Sequence, residues 1–508
     1  MSMKSAGPLL SLYRAIYTAG VVGALMAATL FLWFGLSRPS RTAILVAAIL
    51  AALLVLVATR RLTGFHSLRH LPGPKPSFFL GNMGDLLADG HGGRHETLQA
   101  LHDEFGPIVR LHSAWGSSPF VSLSYVSPNL HKKELDSHRR ADRTVLARSL
   151  MGVEGGELHR SHRQVMSPAL THRSVAERAH VLRDVSTRYV DKWKHVDGSY
   201  DGLQSDLRDW SVHCLSAYLF GDDWDVQADL HEYHRALGAI EEEVSFRAFH
   251  PFFVRWIFPR RLRRVAAAYR QVAAVLGAVM SRRAQRVPAS CPAHQRPDDL
   301  LNRVTQAPWS SEDRVEEMMS LVLGGADPMS YVLSQALVML SLDTHVQEKA
   351  RKSIEAASPD DGDLNQDPYV RNIVYETLRL FPPVPFSAKF TNERALEERG
   401  EKIPPGTVVM WMKNAVGKDP GVFREADRFN PDRFSTDGGE HDTINSFLPF
   451  GAGPRHCVGK RLAEQQCVVM LTEILKNFQI IPVEHINVEF HSTISVVPSA
   501  VPVRLVPR

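Results

Sequence analysis

One long helical pattern in the C-terminal half constrains this chain more than any other feature. Ser310 and Asp313 have the spacing of a capping box, and the helical periodicity then continues to about Leu342. That length corresponds to roughly 48 Å at about 1.5 Å per residue. From Met318 onward the pattern is apolar almost all round, which predicts a helix that is buried inside a large body.

The centre of this helix is unusual, because residues 321–333 read LVLGGADPMSYVL. Two glycines, the lone acid Asp327 and Pro328 stand where a buried helix would normally carry apolar residues that favour the helix. Proline costs about 3 kcal/mol inside a regular helix, so the segment indicates a local function rather than packing alone.

Other segments also favour helices, and strand-like runs are few and short. Hydrophobic residues make up 44% of the 508 residues and charged residues 22%, which is ordinary for a globular protein. We therefore expect a mostly helical body with a minor β region. Helical patterns cover 94–105, 172–195, 227–247, 262–286, 344–356, 369–381 and 458–477, and strand-like runs cover 407–412 and 500–506.

The N-terminus predicts a membrane anchor over residues 1–62. Two apolar runs, 15–36 and 42–59, are each close to the roughly 20 residues that span a bilayer as a helix. Basic residues outside the turn between these runs outnumber those within it, so the bulk of the chain is expected on the cytoplasmic side. One span followed by a buried helix is the alternative. Residues 63–76 include the stiff sequence LPGPKP and form a linker, and 77–508 follow as the main domain.

Charge and cysteine content argue against two classes of protein. The formal net charge of +4 is too small to indicate a nucleic-acid binder, although it suits a membrane surface or an acidic partner. Four cysteines in so long a chain do not make a disulfide framework, which favours a reducing compartment.

The segment 447–461, FLPFGAGPRHCVGKR, combines a glycine-rich loop with one cysteine, Cys457, just before a helical pattern. Glycines allow the backbone to approach a flat or bulky group closely, and a helix N-terminus favours the thiolate form of a cysteine. No second Cys or His follows at the spacing of a zinc site. A lone thiolate suits instead the axial ligand of a metal whose other bonds come from a macrocycle.

This loop resembles the haem-binding signature of the cytochrome P450 family, Phe-x-x-Gly-x-Arg-x-Cys-x-Gly. The fixed positions are all matched, by Phe450, Gly453, Arg455, Cys457 and Gly459. The resemblance extends over about residues 71–508 and implies the P450 fold for the main, catalytic domain. It also implies haem b (iron protoporphyrin IX) as cofactor, with Cys457 as the axial thiolate, and monooxygenase activity.

Three further residues match a structural motif of the same family. Glu376 and Arg379 are three positions apart, so they share a helix face, and Arg433 follows in the segment FNPDRF. The resemblance implies that the three form a buried triad that braces the chain leading to Cys457. Asp432 stands where the family usually has Glu.

Residues 157–169 resemble the helix whose Trp and Arg bind a haem propionate in the family. Arg163 matches the arginine, and His159 stands at the usual Trp position, where a histidine can still donate a hydrogen bond. Lys389 falls where the family often places an Arg toward the other propionate, and it would act there as a point charge.

The long helix resembles the one that crosses the distal haem face in this family. Gly324, Gly325 and Asp327 match its pattern, which implies room for O2 and an acid that helps to relay protons. Pro328 replaces the usual hydroxyl-bearing Thr, and Ser330 is a nearby residue that could supply a hydroxyl. Three functions therefore stay open: a monooxygenase that uses Asp327 with Ser330, a water or a substrate hydroxyl; an isomerase or dehydratase that acts on a lipid hydroperoxide without O2 or a reductase; and a haem binder without turnover.

The resemblance implies partners as well. Electrons would come from NADPH through a P450-reductase-type flavoprotein, with cytochrome b5 as a further donor, docking on a basic face. The aromatic-rich segment 246–258 resembles a region that dips into the membrane, so a lipophilic substrate such as a sterol or fatty acid is expected from the bilayer. We expect the anchored protein in the endoplasmic reticulum, with its catalytic domain facing the cytoplasm. Candidate cations for the basic face are Lys132, Lys133, Arg139, Arg140, Lys460 and Arg461.

Overall fold

A computed structural model describes residues 68–76, 81–82, 94–112, 119–127, 129, 135–136, 146–153, 156–196, 200–224, 230–249, 258–287, 291, 297, 299–356, 367–391, 394–435, 444–492 and 495–508. The two apolar runs predicted as membrane spans, 15–36 and 42–59, lie outside these residues. Among the helices of the described ranges, none has both the length and the apolar character needed to cross a bilayer.

The described part of the chain is mostly helical, as the sequence patterns predict. The helices are α1 (Arg94–Phe105), α2 (Glu157–Met166), α3 (His172–Glu177), α4 (Ala179–Lys194), α5 (Leu203–Phe220), α6 (Leu230–Phe249), α7 (Pro259–Arg286), α8 (Leu300–Gln306), α9 (Ser311–Leu342), α10 (Thr344–Ala356), α11 (Pro368–Leu380), α12 (Lys413–Gly417), α13 (Ile444–Phe447) and α14 (Lys460–Asn477).

The β region is small, and its largest sheet has five strands. The strands are β1 (Ile108–His112), β2 (Pro119–Leu123), β3 (Leu135–Asp136), β4 (Phe386–Thr391), β5 (Leu396–Glu398), β6 (Glu401–Ile403), β7 (Val408–Met412), β8 (Phe478–Pro482), β9 (Phe490–Ser492), β10 (Val496–Pro498) and β11 (Val503–Pro507). The large sheet has the order β1-β2-β7-β4-β3, in which β2 and β7 run parallel and the other pairs antiparallel. Three separate antiparallel pairs, β5-β6, β8-β11 and β9-β10, complete the β region.

The predicted helices agree with the structure to within a few residues at their ends, with two differences. The pattern at 172–195 forms two helices, because Arg178 ends α3 and begins α4. The helix α5 is absent from the predicted set, as are the short helices α8, α12 and α13. The omission of α5 has a physical reason. Most of its side chains are buried, so it lacks the clear apolar stripe by which an amphipathic helix is recognised in a sequence.

The helix α9 occupies the centre of the largest buried cluster. The predicted capping box is present, since Ser310 Oγ accepts a bond from Asp313 N (3.1 Å) and Asp313 Oδ2 accepts one from Ser310 N (3.2 Å). The helix packs against α5 and α14, and it continues through Pro328 without ending. Because α14 begins directly after the Cys457 loop, this packing brings the middle of α9 close to that loop.

Candidate functional site

The Cys457 loop is a closed turn at the start of α14. Gly451 (φ 74°) and Gly453 (φ 69°) lie in the left-handed region, which side chains other than glycine rarely tolerate. The turn is closed by the bond from Cys457 N to Phe450 O (2.8 Å), and Gly459 caps α14. The glycines therefore permit a tight loop that presents Cys457 at a helix N-terminus.

The Cys457 thiol has solvent-accessible area, yet it lies deep within the protein. A side chain that is both accessible and deep lines an internal space rather than the outer surface. Burial raises the pKa of the thiol, while a hydrogen bond from the Gly459 backbone and the positive charges of Lys413 and Arg163 lower it. The Gly459 backbone, Lys413 and Arg163 thus favour the thiolate form of Cys457, whereas burial favours the neutral thiol.

Two predicted haem-contacting arginines lie against the loop and its neighbours. Arg163 donates to His456 O (2.8 Å), which is the residue before Cys457. Arg455 donates to Leu150 O (3.2 Å) and Val153 O (2.6 Å).

The other two candidates for the propionates differ in how the structure describes them. His159 is buried on α2, one turn before Arg163. Lys389 is paired through its backbone with Val409, and its side chain lies outside the described atoms.

The two glycines at the centre of α9 have different surroundings. A Cβ added at Gly325 would come within 2.8 Å of Leu215 Cδ2, so this glycine permits close packing of α9 on α5. Gly324 is exposed although Leu323 and Ala326 beside it are buried, and the nearest atom to a Cβ there would be Met151 Cε at 3.7 Å. Gly324 therefore faces open space beside Met151, and Gly325 does not.

Pro328 removes the α-helical hydrogen-bond donor to the carbonyl of Gly324, four residues earlier. The proline ring also pushes that carbonyl outward. Among the described side chains, none donates to Gly324 O, whereas Ser211 Oγ donates to the next carbonyl, Gly325 O (3.2 Å). The carbonyl oxygen of Gly324 thus lacks its usual α-helical partner.

Asp327 and Ser330, the predicted catalytic residues, are both buried and both have partners. Arg208 on α5 donates to Asp327 through Nε (2.9 Å to Oδ1) and Nη2 (3.2 Å to Oδ2). Ser330 Oγ donates to Asp327 O (2.9 Å), within its own helix. The sequence does not suggest Arg208 as a site residue, since it lies in a different helix and far along the chain.

The structure brings Glu376, Arg379 and Arg433 together in a buried cluster. Arg379 donates to both carboxylate oxygens of Glu376, from Nε and Nη2 at 2.7 Å each. Arg433 Nε lies 3.5 Å from Glu376 Oε1. Arg379 also donates to the carbonyls of Gly417, Ala426 and Arg428, which belong to the chain between β7 and the loop. The cluster therefore connects α11 to the segment that leads to Cys457.

The candidate cations of the basic face are described only in part. Lys132, Lys133, Arg139 and Arg140 lie outside the described residues. Lys460 and Arg461 both approach the carboxylate of Glu464, at 3.7 and 3.0 Å, so each is already paired with an acid.

The aromatic segment is described at its ends only, and residues 250–257 lie outside the described ranges. At the two described ends of the segment, the rings of Phe246 and Phe258 meet edge to face, with their centroids 6.2 Å apart.

The Cys457 thiol, the glycine-rich loop that carries it and the arginines beside that loop fit a flat macrocycle with an axial thiolate. The fit rests on the deep but accessible Cys457 thiol, on the open position at Gly324, and on Met151, which lies next to Gly324. Met151 belongs to segment 150–153, which also receives the bonds of Arg455. The loop and the open position at Gly324 therefore border the same short segment.

Comparison with known proteins agrees with this geometry. The family model described as Cytochrome P450 matches residues 71–503. Cytochrome P450 3A13 of Mus musculus is 26% identical over 447 residues, covering 81% of this chain and 86% of the relative. The mitochondrial 25-hydroxyvitamin D-1 alpha hydroxylase of Homo sapiens is 26% identical over 458 residues (82% and 88%). Cytochrome P450 monooxygenase sthF of Phaeosphaeria nodorum is 24% identical over 465 residues (85% and 88%).

Proposed function

Since the chain belongs to the cytochrome P450 family, and is thus a haem-thiolate monooxygenase, we propose that its substrate is lipophilic: a sterol, a fatty acid or a similar molecule. One oxygen atom from O2 would be inserted into this substrate, with electrons from NADPH supplied through a reductase. The observation that carries the proposal is the open position of α9 at Gly324, which lies beside Met151, in the same 150–153 segment that Arg455 of the Cys457 loop contacts. The relative named for 25-hydroxyvitamin D supports a sterol-like substrate.

We assign haem b to the space beside Cys457, whose thiolate would be the axial ligand. When bound, the haem supplies the chemistry that activates O2. Phe450, Gly453 and Gly459 shape the loop around Cys457. Arg455 would hold one end of the haem, and the propionates would be bound by His159, Arg163 and Lys389.

Asp327 is proposed as the acid that passes protons toward the open position of α9 at Gly324. Its carboxylate is paired with Arg208, so this role requires the ion pair to open or to exchange a proton through water. Pro328 has no hydroxyl, and the Ser330 hydroxyl is engaged by Asp327 O. We therefore propose, as the third member of the relay, a water or a substrate hydroxyl at the Gly324 carbonyl, which lacks its usual α-helical donor.

We place residues 1–62 in the membrane, residues 63–76 as the linker, and the catalytic domain, residues 77–508, on the cytoplasmic face of the endoplasmic reticulum. The apolar runs 15–36 and 42–59 support this arrangement. The partners would be an NADPH-dependent P450 reductase and cytochrome b5.

The Cys457 assignment is tested by carbon monoxide binding to the reduced, full-length protein. The absorption band near the Soret region that marks a thiolate-ligated haem should disappear in Cys457→Ala. It should persist in the matched control Cys467→Ala, because Cys467 is buried in α14 and packs against Met329. Survival of the band in Cys457→Ala would refute the assignment.

The reaction is tested with a panel of sterols and fatty acids in two arms. One arm contains NADPH and a P450 reductase, and the other contains lipid hydroperoxides without reductase. Product only in the first arm supports the monooxygenase. Product only in the second arm would show a hydroperoxide isomerase or dehydratase instead.

A further inference from the structure

A buried lysine, Lys413, lies beside the Cys457 loop. It is the first residue of α12 and follows β7, in which every residue is buried. The residue is 7% exposed, and its Nζ donates to Pro449 O (3.2 Å) in the loop itself. Lysine is rarely buried unless its ammonium group is paired with an acid. The burial of Lys413 therefore indicates that its charge has a role.

A single carbonyl does not compensate for burying an ammonium group, which has three donors and a full charge. Among the described residues, no carboxylate lies within ion-pair distance of Lys413. Burial lowers the pKa of Lys413 to about 8, and the negative charge that acts against this lowering is the thiolate of Cys457. The loop geometry brings the ammonium group toward Cys457, because Pro449 directly precedes Phe450, whose carbonyl accepts the bond from Cys457 N (2.8 Å).

Two roles for Lys413 can be distinguished. A structural role would need only a hydrogen-bond donor for Pro449 O, which a neutral amide could replace. An electrostatic role would need the positive charge itself, close to the thiolate in a region of low dielectric constant. The scarcity of other partners for a buried ammonium group favours the second role.

We propose that Lys413 is a positioning residue whose charge stabilises the Cys457 thiolate and favours one-electron reduction of the haem that this thiolate holds. The proposal rests on the proposed role of Cys457 as axial ligand. In the reduction, ferric iron takes one electron from an external donor and no bond is formed or broken. The added negative charge is offset by the nearby ammonium group, so reduction becomes easier than with the thiolate alone.

The test is a spectroelectrochemical titration of the purified full-length haem protein, without substrate. Lys413→Met removes the charge and the donor, whereas Lys413→Gln removes the charge and keeps an N–H donor for Pro449 O. Both variants should shift the potential to more negative values. The corresponding loss in the reduction equilibrium is roughly tenfold, the order expected for one charge near a partly buried partner.

The matched control is Lys418→Met, which removes the same charge from an exposed position at the end of α12. It should leave the potential close to that of the wild type. An equal shift in Lys418→Met would overturn the proposal, because only net charge would then matter. A wild-type potential in Lys413→Gln would also overturn it, since the hydrogen bond alone would suffice.

The carbon monoxide band separates this proposal from the assignment of Cys457. If the wild type lacks the thiolate band, the ligand assignment fails. If every variant shows the band and the Lys413 variants keep the wild-type potential, the role of Lys413 fails while Cys457 stands. Lys413→Gln preserves the loop contact, so it tests the charge even if Lys413→Met folds poorly.

Discussion

Arg208 and Asp327 form a two-point ion pair between α5 and α9, with contacts of 2.9 and 3.2 Å. Asp327 is buried and Arg208 is about one-third exposed, so the pair runs from the interior toward the surface. A lone acid in the middle of an apolar helix is therefore neutralised by a neighbouring helix. This pair also restrains the carboxylate that we propose as a proton relay.

The relay predicts that Asp327→Asn uncouples the enzyme. Product formation should fall by about 10²-fold, at the low end of the range for positioned proton donors, while NADPH oxidation continues. The measurement is the ratio of product formed to NADPH consumed with a P450 reductase. Arg208→Lys, which keeps a positive charge near Asp327, should change the ratio much less. Unchanged coupling in Asp327→Asn would remove Asp327 from the mechanism.

Two replacements of Pro328 distinguish the effect of the proline on helix stability from the effect of lacking a hydroxyl on catalysis. Pro328→Ala restores an N–H donor to Gly324 O and should raise the free energy of unfolding, by up to about 3 kcal/mol. Pro328→Thr restores the same N–H and adds a hydroxyl. We expect better coupling of NADPH to product only with Thr. Equal coupling in the two variants would show that a hydroxyl at this position has no role in this protein.

The buried triad should matter greatly for stability. Arg379→Met leaves the Glu376 carboxylate buried without its two-point partner, and such losses typically cost about 3–5 kcal/mol. The free energy of unfolding can be measured in urea by circular dichroism. Arg428→Met is the control, because Arg428 and Glu425 form an exposed ion pair worth less than about 1 kcal/mol. Similar losses in both variants would contradict the structural role of the triad.

His112 on β1 predicts loss of stability in mild acid. Burial lowers the pKa of its imidazole from 6.5 to about 4, so the unfolded chain binds the proton first. The stabilisation is present above the unfolded pKa of 6.5 and is lost as pH falls toward 4. Between about pH 7 and about pH 5 the loss is about 2 kcal/mol. His112→Phe should reduce this dependence by that amount in urea titrations, and an unchanged slope would argue against the shift.

Local chemistry explains why so much of α9 and of the loop is predictable from sequence. The capping box of Ser310 and Asp313 uses groups three residues apart, and the apolar periodicity acts along one helix. The turn around Gly451 and Gly453 depends on backbone angles that glycine alone adopts easily. The helix α5 is not predicted, because it is buried on most sides and its sequence therefore shows no apolar stripe that would mark a helix.

By itself, the sequence determined the family, the mostly helical fold and the positions of the long helix and the Cys457 loop, because these follow from neighbouring residues and a contiguous motif. Only the tertiary structure decided that Asp327 is paired with Arg208, that Gly324 rather than Gly325 faces open space, and that Lys413 lies beside the loop. Those contacts join elements far apart in the chain. Their energies depend on distance and burial after packing, which no local pattern of residues encodes.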